Sequence, residues 1–408
     1  MAVTSEKPAS THAARTGAVS DAVPRRLAAG DGLRAIAALS VLFFHASIST
    51  LIWKLGQGSV NSEASAHNFK PLFGVLAPLF VNTRAGIFIF FALSGYLLSR
   101  SFLSWWVIDT PMPSVARYFR NRALRIIPAF WVLATVFITW DRVWGVGWGH
   151  LLAVYGFAQN YYPSEAGGAI GQAWTLDIEV SFYILIPLVA GIALMIRRRP
   201  RTPQRRLAVV LALLLAAYVG SLYCKHLAGN PPDLTYNIAD YLFAFIPGVA
   251  LAAAEPLAAP KLRAWRHGRA VAWVTLAASL AVFGLFCSFG VTHFGVRVVL
   301  ISLACGLLLG APLTLQWATG GSWRLLDNRV MRWLGERSYG IYLIHLGLMT
   351  HVLARFGHSH GLKVTFVLLL VGVTAVTLVA ADLLWRFVEH PALQRRLPWR
   401  QAEFAPAS

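Results

Sequence analysis

Charged side chains are scarce in this sequence, and acidic side chains are the scarcest. Asp, Glu, Lys and Arg make up 13% of the 408 residues, whereas a soluble domain carries about a quarter. Hydrophobic residues make up 57% of the chain, and the mean hydropathy is +0.58. This balance argues against a soluble globular protein and indicates an integral membrane protein.

Cysteine is nearly absent as well. Cys224, Cys287 and Cys305 lie in or beside apolar stretches and form no Cys-x-x-Cys pair, so neither a zinc site nor a disulfide framework is expected. His358 and His360 form a His-x-His pattern, but no acidic cluster accompanies them. The sequence therefore predicts no metal site.

Lysine and arginine outnumber acidic residues, 36 against 17, which gives a net charge of +19. In a soluble protein that charge would suggest a nucleic-acid partner. Here the basic residues form short runs between apolar segments, such as RRRPRTPQRR at 197–206. Runs of this kind keep the loops of membrane proteins cytoplasmic, so we expect no nucleic-acid partner.

No cleavable signal peptide is recognisable at the N-terminus. Residues 1–24 are rich in Ala, Ser and Thr and lack an apolar core. We therefore expect a disordered cytoplasmic tail over residues 1–27. One transmembrane domain is predicted over residues 28–396, followed by a second cytoplasmic tail over residues 397–408.

The apolar segments predict the fold class. A helix needs about 20 apolar residues to cross a hydrocarbon core of roughly 30 Å, and a shorter apolar piece at 149–162 has the length of a re-entrant or interfacial element. We predict an all-α integral membrane protein with about ten transmembrane helices plus one short re-entrant or interfacial helix. The ten segments are 35–52, 85–103, 126–141, 178–196, 207–225, 238–254, 270–288, 297–317, 339–356 and 364–385.

The distribution of basic residues predicts the orientation. If 149–162 does not cross the membrane, 28 of the 36 lysines and arginines lie on the same side as the two termini. If it crosses, the basic runs at 197–206 and 261–269 move outside, against the positive-inside bias. We therefore expect a multi-pass protein of the cytoplasmic (inner) membrane with both termini in the cytoplasm.

The first predicted span contains two ionisable side chains. Arg34 lies at its cytoplasmic edge and His45 eleven residues later, roughly 16 Å along the helix axis and near the bilayer midplane. Eleven residues are close to three turns, so both side chains lie on nearly the same face. Arg34 is either a topological anchor or functional. His45 is the stronger functional candidate, because an ionisable group inside the membrane is costly.

Two further polar patterns lie where predicted spans begin. Arg122 and Arg125 are three residues apart and share a helical face, which suits bidentate binding of phosphate as well as an ordinary basic juxtamembrane cluster. Glu179 and Tyr183 share a face of another span, where they can orient an imidazole or bind sugar hydroxyls. Asp177 points elsewhere and fits a carboxylate at the start of a helix.

For the remaining candidates the sequence favours a structural role. Ser94 and Gly95 lie in the middle of the second span, where small residues let helices pack closely. His345 lies inside the ninth span and is either a second functional group or, as we expect, a hydrogen-bonded core histidine.

Taken together, these segments resemble the acyltransferase-3 family of bacterial membrane acyltransferases over roughly residues 28–396. The order and spacing of several short motifs carry the resemblance. The matching pieces are Arg34 and His45 as R-x10-H, LSGYLL in the second span, Arg122 and Arg125 as R-x-x-R, WTLDIEVSFY around Trp174, Glu179 and Tyr183, SYGIYLIH, and Glu389–Pro391.

The resemblance implies an enzyme that moves an acyl group from acyl-coenzyme A to a hydroxyl of a sugar. Acetyl-coenzyme A is the expected donor substrate, and no permanently bound cofactor is expected. The implied acceptors are surface glycans, glycolipids and glycosylated secondary metabolites such as macrolides. Many members of the family have an additional hydrolase-like domain, and we expect none in this chain.

The resemblance also implies the roles of single residues. Coenzyme A is a polyanion with a long arm, so arginines at the inner mouth would bind its phosphates while the thioester reaches the midplane histidine. That imidazole would take the proton of the sugar hydroxyl. The expected roles are catalysis for His45 and Glu179 (the latter orienting the imidazole or the sugar), donor binding for Arg34, Arg122 and Arg125, and sugar binding for Trp174 and Tyr183.

A transporter or flippase is the main alternative, since a midplane histidine such as His45 could relay protons. Transporters often contain internal repeats with paired broken helices, and the sequence has no convincing repeat. A homo-oligomer and a monomer both remain open as assemblies.

Overall fold

The structure is a computed structural model. The two predicted tails, residues 1–27 and 397–408, lie outside the described residues except for Leu27. The structure describes residues 27–55, 66–140, 147–161, 170–196, 199–227, 237–289, 294–357 and 359–396.

The described residues form α-helices, short 3-10 helices and two π-helical segments, and contain no strand. The first eight α-helices are α1 (Gly30–Leu55), α2 (Ala66–Phe73), α3 (Ala77–Val81), α4 (Gly86–Ile108), α5 (Val115–Trp140), α6 (Trp148–Tyr155), α7 (Trp174–Leu194) and α8 (Pro203–Leu227). The others are α9 (Ile238–Ala264), α10 (Gly268–Ser288), α11 (Phe294–Thr319), α12 (Arg329–Phe356), α13 (Leu362–Val367), α14 (Thr374–Leu384) and α15 (His390–Gln394). The π-helical segments are Leu368–Val373 and Trp385–Glu389.

Nine segments within the described residues are long and apolar enough to cross a membrane. Each contains most of one predicted span, which confirms the all-α membrane fold. The remaining predicted span, 339–356, lies in α12, a helix of 28 residues that is not among the nine segments and has most of its charged side chains in its first half. Arg337 in that half is buried and forms an ion pair of 2.6 Å with Asp382 of α14, so its charge is compensated inside the bundle.

The apolar piece at 149–162 forms α6 and a 3-10 helix at Gln159–Tyr161. The eight residues of α6 span about 12 Å, which is less than half of a hydrocarbon core. The helix packs against α5, where the indole nitrogen of Trp131 donates to the Tyr155 carbonyl oxygen at 3.0 Å. The structure thus agrees with a short element that does not cross the membrane; residue 162 is outside the described part of the chain.

The close packing predicted from Ser94 and Gly95 is confirmed for Gly95. A Cβ atom at Gly95 would meet the carbonyl oxygen of Phe245 in α9, and a Cβ atom at Gly248 of α9 would meet the carbonyl oxygen of Ala92. The backbones of α4 and α9 therefore approach each other where both helices have glycine. Close approach through small residues is a common way to associate helices in a membrane.

One end of the bundle is rich in buried charges. We name it the basic end; α1, α5, α8, α10 and α12 begin there. Glu255 of α9 accepts two hydrogen bonds from Arg100 of α4, at 2.6 and 2.7 Å, and one each from Tyr96 and Trp317. Because every donor points at one buried carboxylate, this network fastens α4, α9 and α11 together at the basic end.

The outer faces of α8 and α10 are apolar and exposed. Leu213 and Leu215 of α8 expose 65% and 64% of their surface, and Trp273 and Val274 of α10 expose 58% and 68%. Contiguous apolar surface of this kind marks a membrane or protein contact. With nine apolar segments of spanning length, the lipid hydrocarbon is the environment that fits these faces.

Candidate active site: an arginine-lined cleft and a histidine pair

A cleft that is partly open to the outside lies between α1, α4, α5, α7 and α12. Most of the sequence-predicted site residues meet here, although they come from three separate motifs. The polar side chains that line it are Arg34, Ser94, Arg122, Arg125, Thr175, Glu179, Tyr183, Ser338, Tyr339 and Tyr342.

The three predicted donor-binding arginines lie together in the cleft, but their partners differ. Arg34 donates to Asp31 at 3.0 Å, one turn earlier in α1. Arg125 lies 3.6 Å from the buried carboxylate of Glu389. Arg122 packs on the Tyr118 ring, and its buried Nε has no hydrogen-bond partner in the part of the chain that the structure describes. Of these three arginines, Arg122 is therefore the one without a carboxylate partner among the described residues.

A fourth arginine joins this group, and the sequence did not predict it. Burial and the nearby guanidinium groups of Arg125, Arg122 and Arg34 lower the pKa of Arg396 to about 9. The group stays charged at neutral pH, and its buried Nε also lacks a hydrogen-bond partner among the described residues. Repulsion between the four like charges is relieved when an anion binds between them. In the sequence Arg396 belongs to a basic run after the last span, which indicates topology only.

Glu179 is the acidic group of the cleft wall. Its Oε1 accepts a hydrogen bond from the Ser94 hydroxyl at 2.5 Å and another from the Tyr183 hydroxyl at 2.8 Å. The shared face that the sequence predicts for Glu179 and Tyr183 is thus present. Glu179 is bound to these two hydroxyls and is not the partner of His45.

The partner of His45 is a second histidine. His45 Nδ1 lies 2.9 Å from His345 Nε2, and the two ring centroids are 5.0 Å apart. His45 is 8% exposed and His345 is fully buried. Both lie well inside the bundle, on α1 and α12, and the sequence left His345 as a core histidine.

Tyr342 separates the histidine pair from the cleft. Its ring lines the cleft on one side and lies 5.9 Å from the His345 ring on the other. Its hydroxyl donates to the Gln172 carbonyl oxygen at 3.1 Å and lies 2.8 Å from the Thr175 hydroxyl. The polar cleft therefore ends at Tyr342, one helical turn before His345, and neither histidine is among the residues that line it.

Trp174, the other predicted sugar contact, does not line the cleft. Its ring packs 5.3 Å from the Tyr241 ring of α9. The reason is its position on α7: Thr175 and Glu179 are four residues apart and face the cleft, so the side chain of Trp174 points to a neighbouring face. Tyr183 continues the cleft-facing row.

The described residues contain no group of three His, Cys, Asp or Glu side chains that could hold a metal ion. Within the same residues Cys224, Cys287 and Cys305 are free thiols. The ionisable groups that the contacts above place in or beside the cleft are the four arginines, Asp31, Glu179, Glu389 and the histidine pair.

Comparison with known proteins gives a family match over most of the chain. The acyltransferase-3 family model, described as an acyltransferase domain, matches residues 27–386. The chain is 25% identical to peptidoglycan O-acetyltransferase OatA of Listeria monocytogenes, an alignment that covers 88% of this chain and 55% of that protein. It is 26% identical to the putative peptidoglycan O-acetyltransferase YrhL of Bacillus subtilis, over 88% of this chain and 54% of that protein.

The chain spans about half the length of these two relatives. A third relative is matched almost over its whole length: nodulation protein 10 of Rhizobium leguminosarum is 26% identical, over 90% of this chain and 93% of that protein. No solved structure shows a significant match to the chain.

Proposed function

Since the chain belongs to the acyltransferase-3 family and is thus a membrane acyltransferase that transfers groups other than aminoacyl groups, we propose that it moves an acyl group from acyl-coenzyme A to a hydroxyl of a sugar. The observation that carries the proposal is the cluster of four arginines at one end of a cleft that runs towards a buried imidazole pair.

The arginine cluster suits the phosphates of coenzyme A. Arg34 and Arg125 already face a carboxylate, whereas Arg122 and Arg396 have unused buried donors. Guanidinium groups bind phosphate through two parallel hydrogen bonds and remain charged when partly buried. A small polyanion at this position would neutralise the repulsion within the cluster. Acetyl-coenzyme A is the donor we propose.

The cleft suits the arm of the donor. From Arg34 to His45 the first helix rises about 16 Å, a distance that a thin extended arm can follow while its charged end stays with the arginines. Glu179, with Ser94 and Tyr183, forms a hydrogen-bonded polar group in the cleft wall, suited to an amide of the arm or to a sugar hydroxyl. Tyr342 then has to turn aside for the thioester to reach His45.

His45 is the general base in this proposal. It removes the proton from the sugar hydroxyl as the oxygen attacks the thioester carbonyl carbon, which forms the new C–O bond. The tetrahedral intermediate collapses, the C–S bond breaks, and the proton passes from the imidazole to the departing thiolate. The products are the O-acylated sugar and free coenzyme A.

The acceptor that we propose is a sugar hydroxyl of a surface glycan, a glycolipid or a glycosylated metabolite. Two relatives are named for O-acetylation of peptidoglycan, a polymer of sugars. We further propose that the protein lies in the cytoplasmic membrane with its basic end in the cytoplasm, where acyl-coenzyme A is present. The basic runs at that end follow the positive-inside bias.

Release of coenzyme A from acetyl-coenzyme A tests the donor. The purified protein in lipid nanodiscs is mixed with radiolabelled acetyl-coenzyme A and, in parallel, with peptidoglycan fragments, a polysaccharide and a glycolipid. Label in the sugar of one acceptor, lost in His45→Ala, supports the proposal. No coenzyme A release with any acceptor contradicts it, and acceptor-independent movement of a solute across proteoliposomes would favour a transporter.

A further inference from the structure

We propose that His345 is a positioning residue that fixes His45 in a single tautomer, with its hydrogen on Nδ1 and its free electron pair on Nε2. Only the catalytic role of this tautomer rests on the proposed function. The tautomer itself follows from hydrogen bonds and is measurable without any substrate.

The hydrogen bond of His345 to the backbone determines which of its ring nitrogens carries the hydrogen. His345 Nδ1 lies 3.0 Å from the carbonyl oxygen of Ile341, one turn earlier in α12. A carbonyl oxygen only accepts hydrogen bonds, so the hydrogen of His345 is on Nδ1. A neutral imidazole has one ring hydrogen, and full burial favours the neutral ring. His345 Nε2 is therefore an acceptor.

The acceptor at His345 is one of two partners that set the state of His45; the other is the backbone of Val41, one turn earlier in α1. Since His345 Nε2 accepts, the 2.9 Å contact requires that His45 Nδ1 donates. The second nitrogen of His45, Nε2, then has an unprotonated electron pair. The same logic operates where a third group holds a catalytic histidine in the tautomer that its task requires.

The geometry also decides which of the two histidines can touch a substrate. Both ring nitrogens of His345 are engaged, one with Ile341 and one with His45, and its side chain is fully buried. His45 is 8% exposed and keeps one nitrogen available. His45 is therefore the residue that contacts the acceptor, and His345 acts through it.

Because His345 is neutral, it affects how the charged state of His45 is stabilised during catalysis. When His45 Nε2 takes the proton of the acceptor, the ring becomes positively charged, and its Nδ1–H bond to His345 strengthens as a charge-assisted hydrogen bond. A carboxylate in the place of His345 would stabilise the charged ring more strongly, but it would bring a permanent charge into the bundle. The histidine thus assists the charged state without a buried charge at rest.

The segment that contains His345 is held in place from α7. The side-chain amide of Gln172 donates to the carbonyl oxygens of Tyr342 and Leu343, at 3.0 and 2.7 Å. These bonds connect the turn that precedes α7 to the turn of α12 between Ile341 and His345. Because they fix this turn, they also fix the direction in which His345 Nε2 points.

Nitrogen-15 NMR of labelled histidine tests the tautomer. Protonated and unprotonated ring nitrogens differ widely in chemical shift, and the His45 signals are assigned by their loss in His45→Phe. In the wild type we expect a protonated Nδ1 and an unprotonated Nε2 at His45. In His345→Ala we expect a mixture of tautomers or a reversal. A protonated Nε2 in the wild type, or an unchanged pattern in His345→Ala, overturns the proposal.

Two further variants complete the test. His345→Gln places an amide oxygen that can accept from His45 Nδ1, so the wild-type tautomer and most of the acetyl transfer should return. His351→Ala is the matched control, because His351 lies on the same helix and bonds the Gly347 carbonyl at 2.8 Å in the same manner. It should leave the His45 signals unchanged.

Kinetics separate positioning from structural damage. In His345→Ala the kcat for transfer should fall about 10- to 1000-fold, while the KM for acetyl-coenzyme A stays within twofold, since the arginine cluster is distant. A proportional loss in kcat and in the amount of folded protein, with no rescue by His345→Gln, contradicts a positioning role. If no acyl transfer is found at all, the NMR result still decides the tautomer.

Discussion

Arg122 and Arg125 are three residues apart and line one cleft, yet their substitution should have different consequences. Arg122 makes no ion pair with another described residue, whereas Arg125 faces the buried carboxylate of Glu389 at 3.6 Å. The side chain of Glu389 is 1% exposed, so removal of Arg125 takes the nearest cation from a buried carboxylate and leaves it with the charges of Arg337 and Arg396. Such a loss typically costs about 3–5 kcal/mol of stability.

We therefore expect Arg122→Ala to weaken acetyl-coenzyme A binding without loss of folded protein. One charge-assisted phosphate contact contributes about 1.5–3 kcal/mol, so the dissociation constant should rise roughly 10- to 150-fold. Arg122→Lys should restore the affinity only partly, because lysine lacks the planar fork. Isothermal titration with a non-hydrolysable analogue measures this, and an unchanged affinity would return Arg122 to a topological role.

Arg125→Ala should lower the thermal stability as well as the affinity. The control is Arg125→Ala combined with Glu389→Gln, which removes both charges. The double variant should recover stability while donor binding stays weak. Equal melting temperatures for the wild type and Arg125→Ala would show that the Glu389 pair contributes nothing to the fold.

His45→Ala should abolish most of the transfer while the protein stays folded. A positioned general base contributes about 10²- to 10⁴-fold to the rate. Alanine leaves the buried His345 Nε2 without its partner, which costs about 1–3 kcal/mol, less than the usual stability of a folded protein. Donor affinity should barely change, because Arg34 lies about three turns away. A folded His45→Ala protein with near wild-type transfer would disprove the general-base mechanism. His351→Ala, on the neighbouring helix, should transfer normally.

At the scale of single residues, the sequence predicts contacts within one helix but not contacts between distant segments of the chain. Helical spacing correctly brings Glu179 and Tyr183 together, because residues four apart share a face. The pairing of His45 with His345 joins residues 300 positions apart, and no local pattern encodes it. Arg396 was missed for the same reason, since its neighbours come from α1 and α5.

At the scale of single helices, the contact between α4 and α9 depends on two glycines. Gly248 lies against the backbone of Ala92, where a Cβ atom would overlap the carbonyl oxygen. Backbone cannot give way as a flexible side chain can, so α4 and α9 would have to separate. Gly284 of α10 offers the opposite case, because a Cβ atom there meets nothing within 4 Å.

We expect Gly248→Ala to destabilise the protein by about 1–3 kcal/mol, the usual cost of overpacking a tight contact. Gly284→Ala should be neutral or slightly stabilising, because alanine favours the helix. Thermal unfolding in one detergent, followed by intrinsic fluorescence, compares the two. Similar melting temperatures for both variants would contradict the close contact between α4 and α9.

Sequence patterns predicted the helices better than their ends. The predicted span at 339–356 covers only the apolar half of α12, which begins at Arg329. The charged half of α12 extends the helix beyond the apolar segment, because Arg337 finds its partner Asp382 on another helix. The last span, by contrast, is apolar throughout but contains two π-helical segments, which the composition does not distinguish from α-helix.

At the scale of the whole molecule, the orientation depends on the short element around α6. The helix is about 12 Å long and packs on α5, so we expect the chain to return to the side from which it came. With this element outside, 28 of the 36 lysines and arginines share a side with both termini. The positive-inside bias therefore predicts that this side is cytoplasmic.

Reporter fusions after Arg142 and after Pro163 should accordingly both report the outer side of the membrane. These positions flank the α6 element, so a crossing between them would give opposite results, whatever the orientation of the rest. A fusion after Arg201, between α7 and α8, should report the cytoplasm and serves as the control. That position also tests the proposed donor site, because Arg34, Arg122 and Arg125 lie at the same end of the bundle and need access to cytoplasmic acyl-coenzyme A. An outer-side result after Arg201 would place the arginine cluster on the face where this donor is absent, and the donor proposal would then fail together with the orientation.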